Sequence, residues 1–381
     1  MKKRIAAIVL SLLMLIALAG CGGDTPKPSA ENGGGNSGST GEPAYGGEIT
    51  VGITADLDAS LDPHVSSSSA GTREILFNVF EGLVKPDSDG NLIPAVAEAV
   101  DVNDAADEYT FTLRQGIQFH NGNPVTSGDV VYSLSRAAGL ETGEPLVSDV
   151  AGITSVEATD DNTIVVKLKA PDTEFLAHAT TAIIPEGIDP SQEVVGTGPY
   201  KLTGRKVQES ITLEKFNEYW GEPAYLDKVT LKVIDNSETL VMSLKSGAID
   251  LANRLTPSQA KELSELRIVE GATNAVQGLY LNHAAAPFDN ELVRQALCYG
   301  IDKQGILDLA FDGHGSLLGS SMFPAFGKYF MDELTNYYPY DTAKAKELLA
   351  EAGFPDGFPL RLPFLPPCSS MWTPRKSSWN S

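Results

Sequence analysis

The chain has 381 residues, 50 acidic and 28 basic, for a formal charge of −22. That charge opposes binding to nucleic-acid phosphates and adsorption on anionic lipid. Three cysteines, at 21, 298 and 368, are too few for a disulfide framework.

The N-terminus reads as an export signal. Lys2, Lys3 and Arg4 precede an apolar run from Ile5 to Ala19 that closes on Leu18-Ala19-Gly20-Cys21. Residues 1–20 are therefore expected to be a lipoprotein signal peptide, with Cys21 diacylated as the new N-terminus. An ordinary signal peptide that contains a cysteine, or a short anchor, is the alternative. The Gly-, Ser- and Pro-rich stretch over 21–45 has too few apolar groups to offset ordering entropy and predicts a flexible linker. The expected location is the outer face of the cell membrane, in a periplasm or at a cell surface.

About 330 residues remain, enough for two or three domain-sized units. They read as mixed α/β. Tyr109, Phe111 and Leu113 alternate as a strand, as do Ile164, Val166 and Leu168 after the Asp160-Asp161-Asn162 turn, and Val229, Leu231 and Val233. Thr126 with Asp129 predicts a capping box before Val130, Val131 and Leu134. Ser237 is the expected cap of a helix through Leu240, Val241 and Leu244 that stops at Gly247. Cys298 falls in an apolar helical pattern and reads as a small core residue. Asp341 opens a further helix carrying Ala345, Leu348, Leu349 and Ala352, ended by Gly353. From Arg361 to Ser381 there is no acidic residue, while four prolines, five serines and two of the three tryptophans crowd in. A loose natural terminus and translation out of frame both fit that composition.

Enzyme signatures are sparse. The five histidines (64, 120, 178, 283 and 314) make no HExxH, and the chain has no GxxxxGK[ST] loop. No cofactor and no metal site is expected. Ser258-Gln259-Ala260-Lys261 is an SxxK, the pattern that places a lysine beside a serine nucleophile. Thr256-Pro257 just before it reads as an N-cap and a first-turn proline, which makes the tetrapeptide a helix start.

Several segments then fall in a telling order. Leu61-Asp62-Pro63-His64 is followed by Phe77-Asn78-Val79-Phe80-Glu81-Gly82-Leu83-Val84 and by Pro94-Ala95-Val96-Ala97-Glu98. The run from Tyr109 to Arg136 reads YTFTLRQGIQFHNGNPVTSGDVVYSLSR. Gly196-Thr197-Gly198-Pro199-Tyr200, Phe216-Asn217-Glu218-Tyr219-Trp220-Gly221 and Leu244-Lys245-Ser246-Gly247-Ala248-Ile249-Asp250 come next. Pro287-Phe288-Asp289-Asn290 leads into Val293-Arg294-Gln295-Ala296-Leu297, and Tyr340-Asp341 into Gly353-Phe354-Pro355. From about Gly47 to about Pro359 this resembles the family 5 extracellular solute-binding proteins, the dipeptide, oligopeptide and nickel receptors of ABC importers. Within it, His120 reads as a turn or packing residue.

The resemblance implies an α/β two-lobed clamshell of the periplasmic-binding-protein type (type II, cluster C) with an extra domain on the first lobe. Residues 46–80 and 190–275 would form the first lobe, 81–189 the extra domain and 276–360 the start of the second lobe. A monomer is implied, holding a small solute, with an oligopeptide or dipeptide foremost, between its lobes and delivering it to an ABC permease and ATPase complex. Receptors for nickel chelates, haem, oligosaccharides and opines share the same scaffold motifs. Ser67, Ser68 and Ser69 after the LDP turn stand where relatives build pocket wall, and their hydroxyls can donate and accept; a polar loop is the alternative. Tyr280 stands at the expected lobe crossover, where its ring can stack and its hydroxyl bond; a core tyrosine in a strand from Leu279 to Leu281 is the alternative. The resemblance fades near Pro359, so the second lobe is expected to be incomplete and 361–381 an anomalous tail from a frameshifted or prematurely ended gene. In a chain so shortened one cleft wall would be incomplete and exposed apolar surface would favour proteolysis or aggregation, which leaves a working receptor and a non-functional product both open. Two rivals differ in class: an envelope peptide-binding chaperone or sensing module, and a serine hydrolase acting through Ser258 and Lys261.

Overall fold

The computed structural model describes residues 44–65, 70–271 and 276–360. Period-two patterning builds two main sheets. The first joins β1 (Glu48–Ile53) to β8 (Tyr200–Lys206), β9 (Ser210–Lys215), β10 (Lys228–Val233) and β11 (Leu251–Ala252) in the order β11–β1–β10–β9–β8. β1 runs parallel to β10 and β11, and the β10–β9 and β9–β8 pairs are antiparallel.

The second sheet is antiparallel, with β4 (Ala97–Val102), β5 (Glu108–Leu113), β6 (Ile153–Ala158) and β7 (Thr163–Leu168) in the order β4–β5–β7–β6. β2 (Val84–Pro86) and β3 (Leu92–Pro94) pair as a separate antiparallel ribbon, and Val84 joins the core of that sheet. The three expected strands are β5, β7 and β10. Tyr109, Phe111 and Leu113 are buried with Ile164 and Val166 in one core. Against them pack Val130, Leu134 and Ala137 of a helix over Ser127–Ala138.

The capping box of that helix is formed. The Thr126 hydroxyl accepts from the Asp129 amide at 3.2 Å, and the Asp129 carboxylate accepts from the Thr126 amide at 2.8 Å. Among the described residues the α-helices are, in chain order, α1 (Ala70–Leu76), α2 (Ser127–Ala138), α3 (Phe175–His178), α4 (Ser237–Ser246), α5 (Pro257–Glu262), α6 (Glu291–Gly300), α7 (Lys303–Phe311) and α8 (Thr342–Glu351). The cap of α4 is Asn236, one residue before the expected Ser237: its side-chain oxygen accepts from the Thr239 amide at 2.8 Å, so Ser237 is already helical. Gly247 ends α4 as expected, at a φ of 72° that a side chain would resist.

α6 and α8 pack together, burying Val293 and Ala296 on one and Ala345 and Leu348 on the other. Cys298 lies off that narrow stripe and is exposed, which corrects its reading as a core residue. None of the residues of α7 is buried, and Leu309 is 90% exposed. Leu279 to Leu281 forms no strand; the segment has no regular secondary structure, and Tyr280 is 87% exposed.

Candidate functional site: a groove over the first sheet

Alternation places Val51 and Ile53 of β1, Leu213 of β9 and Val229 and Leu231 of β10 on one face of the first sheet. α1 and the turn after it lie over that face, with Leu76, Val79 and Phe80 in its core. Beside α1 the face stays uncovered as a half-open cavity of about 270 Å³. Gly71, Glu74 and Ile75 of α1, at offsets of three and four that put them on a single helical side, and Asn78 in the turn after it supply one wall. Thr54 and Ala55 after β1, and Asn253 and Arg254 after β11, supply the other. The cavity thus opens at the carboxyl ends of parallel strands, the place where open α/β sheets hold ligands.

Its charged groups among the described lining residues are Glu74 and Arg254, which pair across the mouth while both stay about half exposed. Arg254 has a φ of 58°, in the left-handed region that residues other than glycine adopt only when their surroundings impose it.

Ser67, Ser68 and Ser69 lie outside the described residues, as does Cys21. Residues on both sides of these serines are placed, however. Downstream, Gly71 lines the cavity. Upstream, Arg136 of α2 reaches Asp62 Oδ1 at 3.2 Å and His64 Nδ1 at 2.8 Å, and His64 Nε2 lies 2.9 Å from the Ala182 carbonyl oxygen. A guanidinium only donates, so Nδ1 accepts and Nε2 carries the proton. Burial first, then the Arg136 charge, holds the His64 pKa below the usual value. Tyr280 is not among the residues that line the cavity.

The segments that carry the family resemblance meet elsewhere, around buried Glu81. Its carboxylate accepts from Lys85 Nζ at 2.9 Å, Tyr219 Oη at 2.7 Å, Trp220 Nε1 at 2.8 Å and Thr197 Oγ1 at 3.3 Å. Lys85 and Arg114 also lie over the Trp220 ring, at 4.8 and 4.4 Å from its centre. These groups hold the scaffold and do not line the groove.

His120 belongs to the scaffold too. Its Nε2 is 2.9 Å from the Gly198 carbonyl oxygen and its Nδ1 accepts from the Gly196 amide at 3.3 Å. Burial, aided by the Lys201 charge, lowers its pKa to about 4. The unfolded chain therefore takes up this proton first as pH falls from about 6.5 towards 4, and stability falls with it; above that window both states are neutral and nothing changes. Between pH 7 and 4.5 the wild type is expected to lose about 2–3 kcal/mol that a His120→Gln variant does not lose. Urea unfolding of both proteins at the two pH values checks this, and equal losses would contradict it.

At the SxxK the helix-start reading is the one realised. Thr256 and Gln259 form a reciprocal cap, Pro257 opens α5, and Lys261 Nζ lies 3.3 Å from Asp312. No signal in the sequence singles out Glu74, Asn253 or Arg254.

The family model for bacterial extracellular solute-binding proteins, family 5 Middle, matches residues 91–380. The glutathione-binding protein GsiB of Pectobacterium atrosepticum is 32% identical over 328 residues, which cover 81% of this chain and 62% of that protein. The oligopeptide-binding protein AppA of Bacillus subtilis is 28% identical over 374 residues, covering 93% of this chain and 68% of that one. Among solved structures, the periplasmic binding protein DppA of Helicobacter pylori, in complex with the peptide STSA, superposes with a TM-score of 0.66 at 29% identity. That match covers 83% of this chain and 68% of DppA. The chain thus spans 62% of the length of GsiB and about two thirds of the other two.

Proposed function

We propose that this chain, which belongs to family 5 of the bacterial extracellular solute-binding proteins, captures short peptides and hands them to an ABC permease and its ATPase. Its fold is the mixed α/β clamshell of the periplasmic binding proteins. In this reading 46–80 and 190–275 make the first lobe, 81–189 the extra domain and 276–360 the start of the second lobe. The protein is a monomeric receptor without enzymatic activity, tethered through lipid on Cys21, and Ser67–Ser69 and Tyr280 serve as further ligand contacts.

The observation that carries the reading is the groove at the ends of β1 and β11, where an apolar floor meets a facing acid and base. A peptide offers that combination of apolar side chains and charged ends. The three relatives described above, named for glutathione, oligopeptide and peptide binding, support peptides as the ligand class. Two measurements test it. Mass spectrometry of the purified, denatured protein is expected to release short peptides, and their absence even after incubation with a peptide digest would count against capture. Labelled palmitate is expected to enter the wild type and not a Cys21→Ser variant; equal labelling would remove the tether.

A further inference from the structure

We infer that Arg254 is the anchor for a carboxylate of the captured solute, and that Glu74 occupies its place while the groove is empty. This deepens the peptide-capture reading and rests on it. The chain carries a formal charge of −22, so its general field repels anions, and holding one requires a local cation. Arg254 is the cation among the described lining residues.

Its place is imposed from both sides. Two residues upstream, Ala252 is held in register with Gly52 by the β11–β1 pairing. Two residues downstream, Thr256 is locked by its reciprocal cap with Gln259. Between them Arg254 keeps its left-handed backbone, a conformation that a non-glycine residue holds only where its surroundings over-determine it.

Glu74 meets the guanidinium from the opposite wall. Such a half-exposed pair contributes little to stability, so it opens readily. The guanidinium fork fits a carboxylate in two bonds, and a ligand carboxylate would replace that of Glu74 like for like. A terminal carboxylate and an acidic side chain both supply this chemistry.

The test is calorimetric titration of the full-length chain with trialanine, trialanine amide and Ala-Glu-Ala amide. Binding of either free carboxylate is expected to be about 10- to 100-fold tighter than binding of trialanine amide, as a charge-assisted contact implies. Tight trialanine alone identifies the terminus as the source, and tight Ala-Glu-Ala amide the side chain. Arg254→Gln is expected to erase the difference, and Glu74→Gln to tighten the carboxylate ligands several-fold by removing the competitor. Arg254→Gly suits the backbone and so is expected to keep the melting temperature while losing the preference. Equal binding of trialanine, trialanine amide and Ala-Glu-Ala amide, with Arg254→Gln without effect, overturns the inference and leaves peptide capture standing. Should no peptide bind, N-acetylalanine is titrated while the Arg254 Nε–H resonance is followed. A saturable shift that is lost in Arg254→Gln then upholds the carboxylate anchor although peptide capture falls, and no shift overturns both.

Discussion

Glu81→Ala is expected to destabilise the folded chain by about 3–5 kcal/mol, with the soluble yield falling accordingly. The Glu81 side chain is 3% exposed, and its carboxylate is the meeting point of an ammonium, a phenol, an indole and a hydroxyl. Removing it leaves these donors without their acceptor in a place water reaches poorly, and each buried polar group so stranded costs about 1–3 kcal/mol. It also leaves the Lys85 charge over the Trp220 ring with no counter-ion. The Tyr219 hydroxyl, whose pKa burial and the Glu81 charge both raise, stays protonated and so stays a donor in need of a partner. Glu81→Gln keeps the volume but replaces one acceptor oxygen with a donor group that faces donors, so a loss of about half that size is expected. Urea unfolding of the three proteins checks the order. A loss below about 1 kcal/mol for Glu81→Ala would mean that the cluster is not a buried network.

Gly196→Ala is expected to cost more than about 3 kcal/mol, and in practice to prevent folding. A β-carbon at Gly196 would lie 2.0 Å from the Val79 carbonyl oxygen, and one at Gly198 would lie 2.5 Å from that of Asn78. These are main-chain atoms already committed to their positions. The Gly198 amide donates to Val79 O at 2.9 Å, the Tyr200 amide to Asn78 O at 3.0 Å, and the His120 amide to Gly196 O at 2.9 Å. Neither strand of contact can back away without breaking the others, so the clash cannot be relieved by a side-chain rotation. Gly152→Ala is the control, because a β-carbon there meets no atom of the described residues within 4 Å; a change within about 0.5 kcal/mol is expected. Thermal melts of both variants, together with their soluble yields, read the contrast. A Gly196→Ala protein that melts with the wild type would contradict the packing described.

What could be read from the chain beforehand is what depends on neighbours in sequence. β5, β7 and β10 follow from period-two alternation, and the Thr126–Asp129 box from a spacing of three. The small errors are local as well. Asn236 and Ser237 are both good caps, and the backbone chose the one whose oxygen reaches the Thr239 amide. Cys298 sits in an apolar helical pattern, but α6 buries only Val293 and Ala296, so the pattern is wider than the contact.

What depends on distant partners was not legible. Glu81 meets Thr197, Tyr219 and Trp220 across 116, 138 and 139 residues. Within the motifs each looks like an ordinary surface or turn residue. The groove has the same character, since β1, α1 and the end of β11 bring Thr54, Glu74 and Arg254 together from separate parts of the chain. Ser67–Ser69 were selected by resemblance, and the structure places only their flanks. Tyr280 stands out in the sequence for its place at the crossover, and in the structure it is exposed and not among the groove's lining residues.

Peptide capture in the groove is tested most directly by blocking it. Gly71 lines the cavity, and a β-carbon there meets no atom of the described residues within 4 Å, so Gly71→Trp adds an indole at the cavity wall without a clash against their main chain. Calorimetric titration with trialanine is expected to give a saturable one-site isotherm for the wild type, and none for a Gly71→Trp protein of unchanged melting temperature. An isotherm that survives Gly71→Trp unaltered would place the ligand elsewhere on the molecule, and a wild type that gives no saturable heat would contradict capture of peptides altogether.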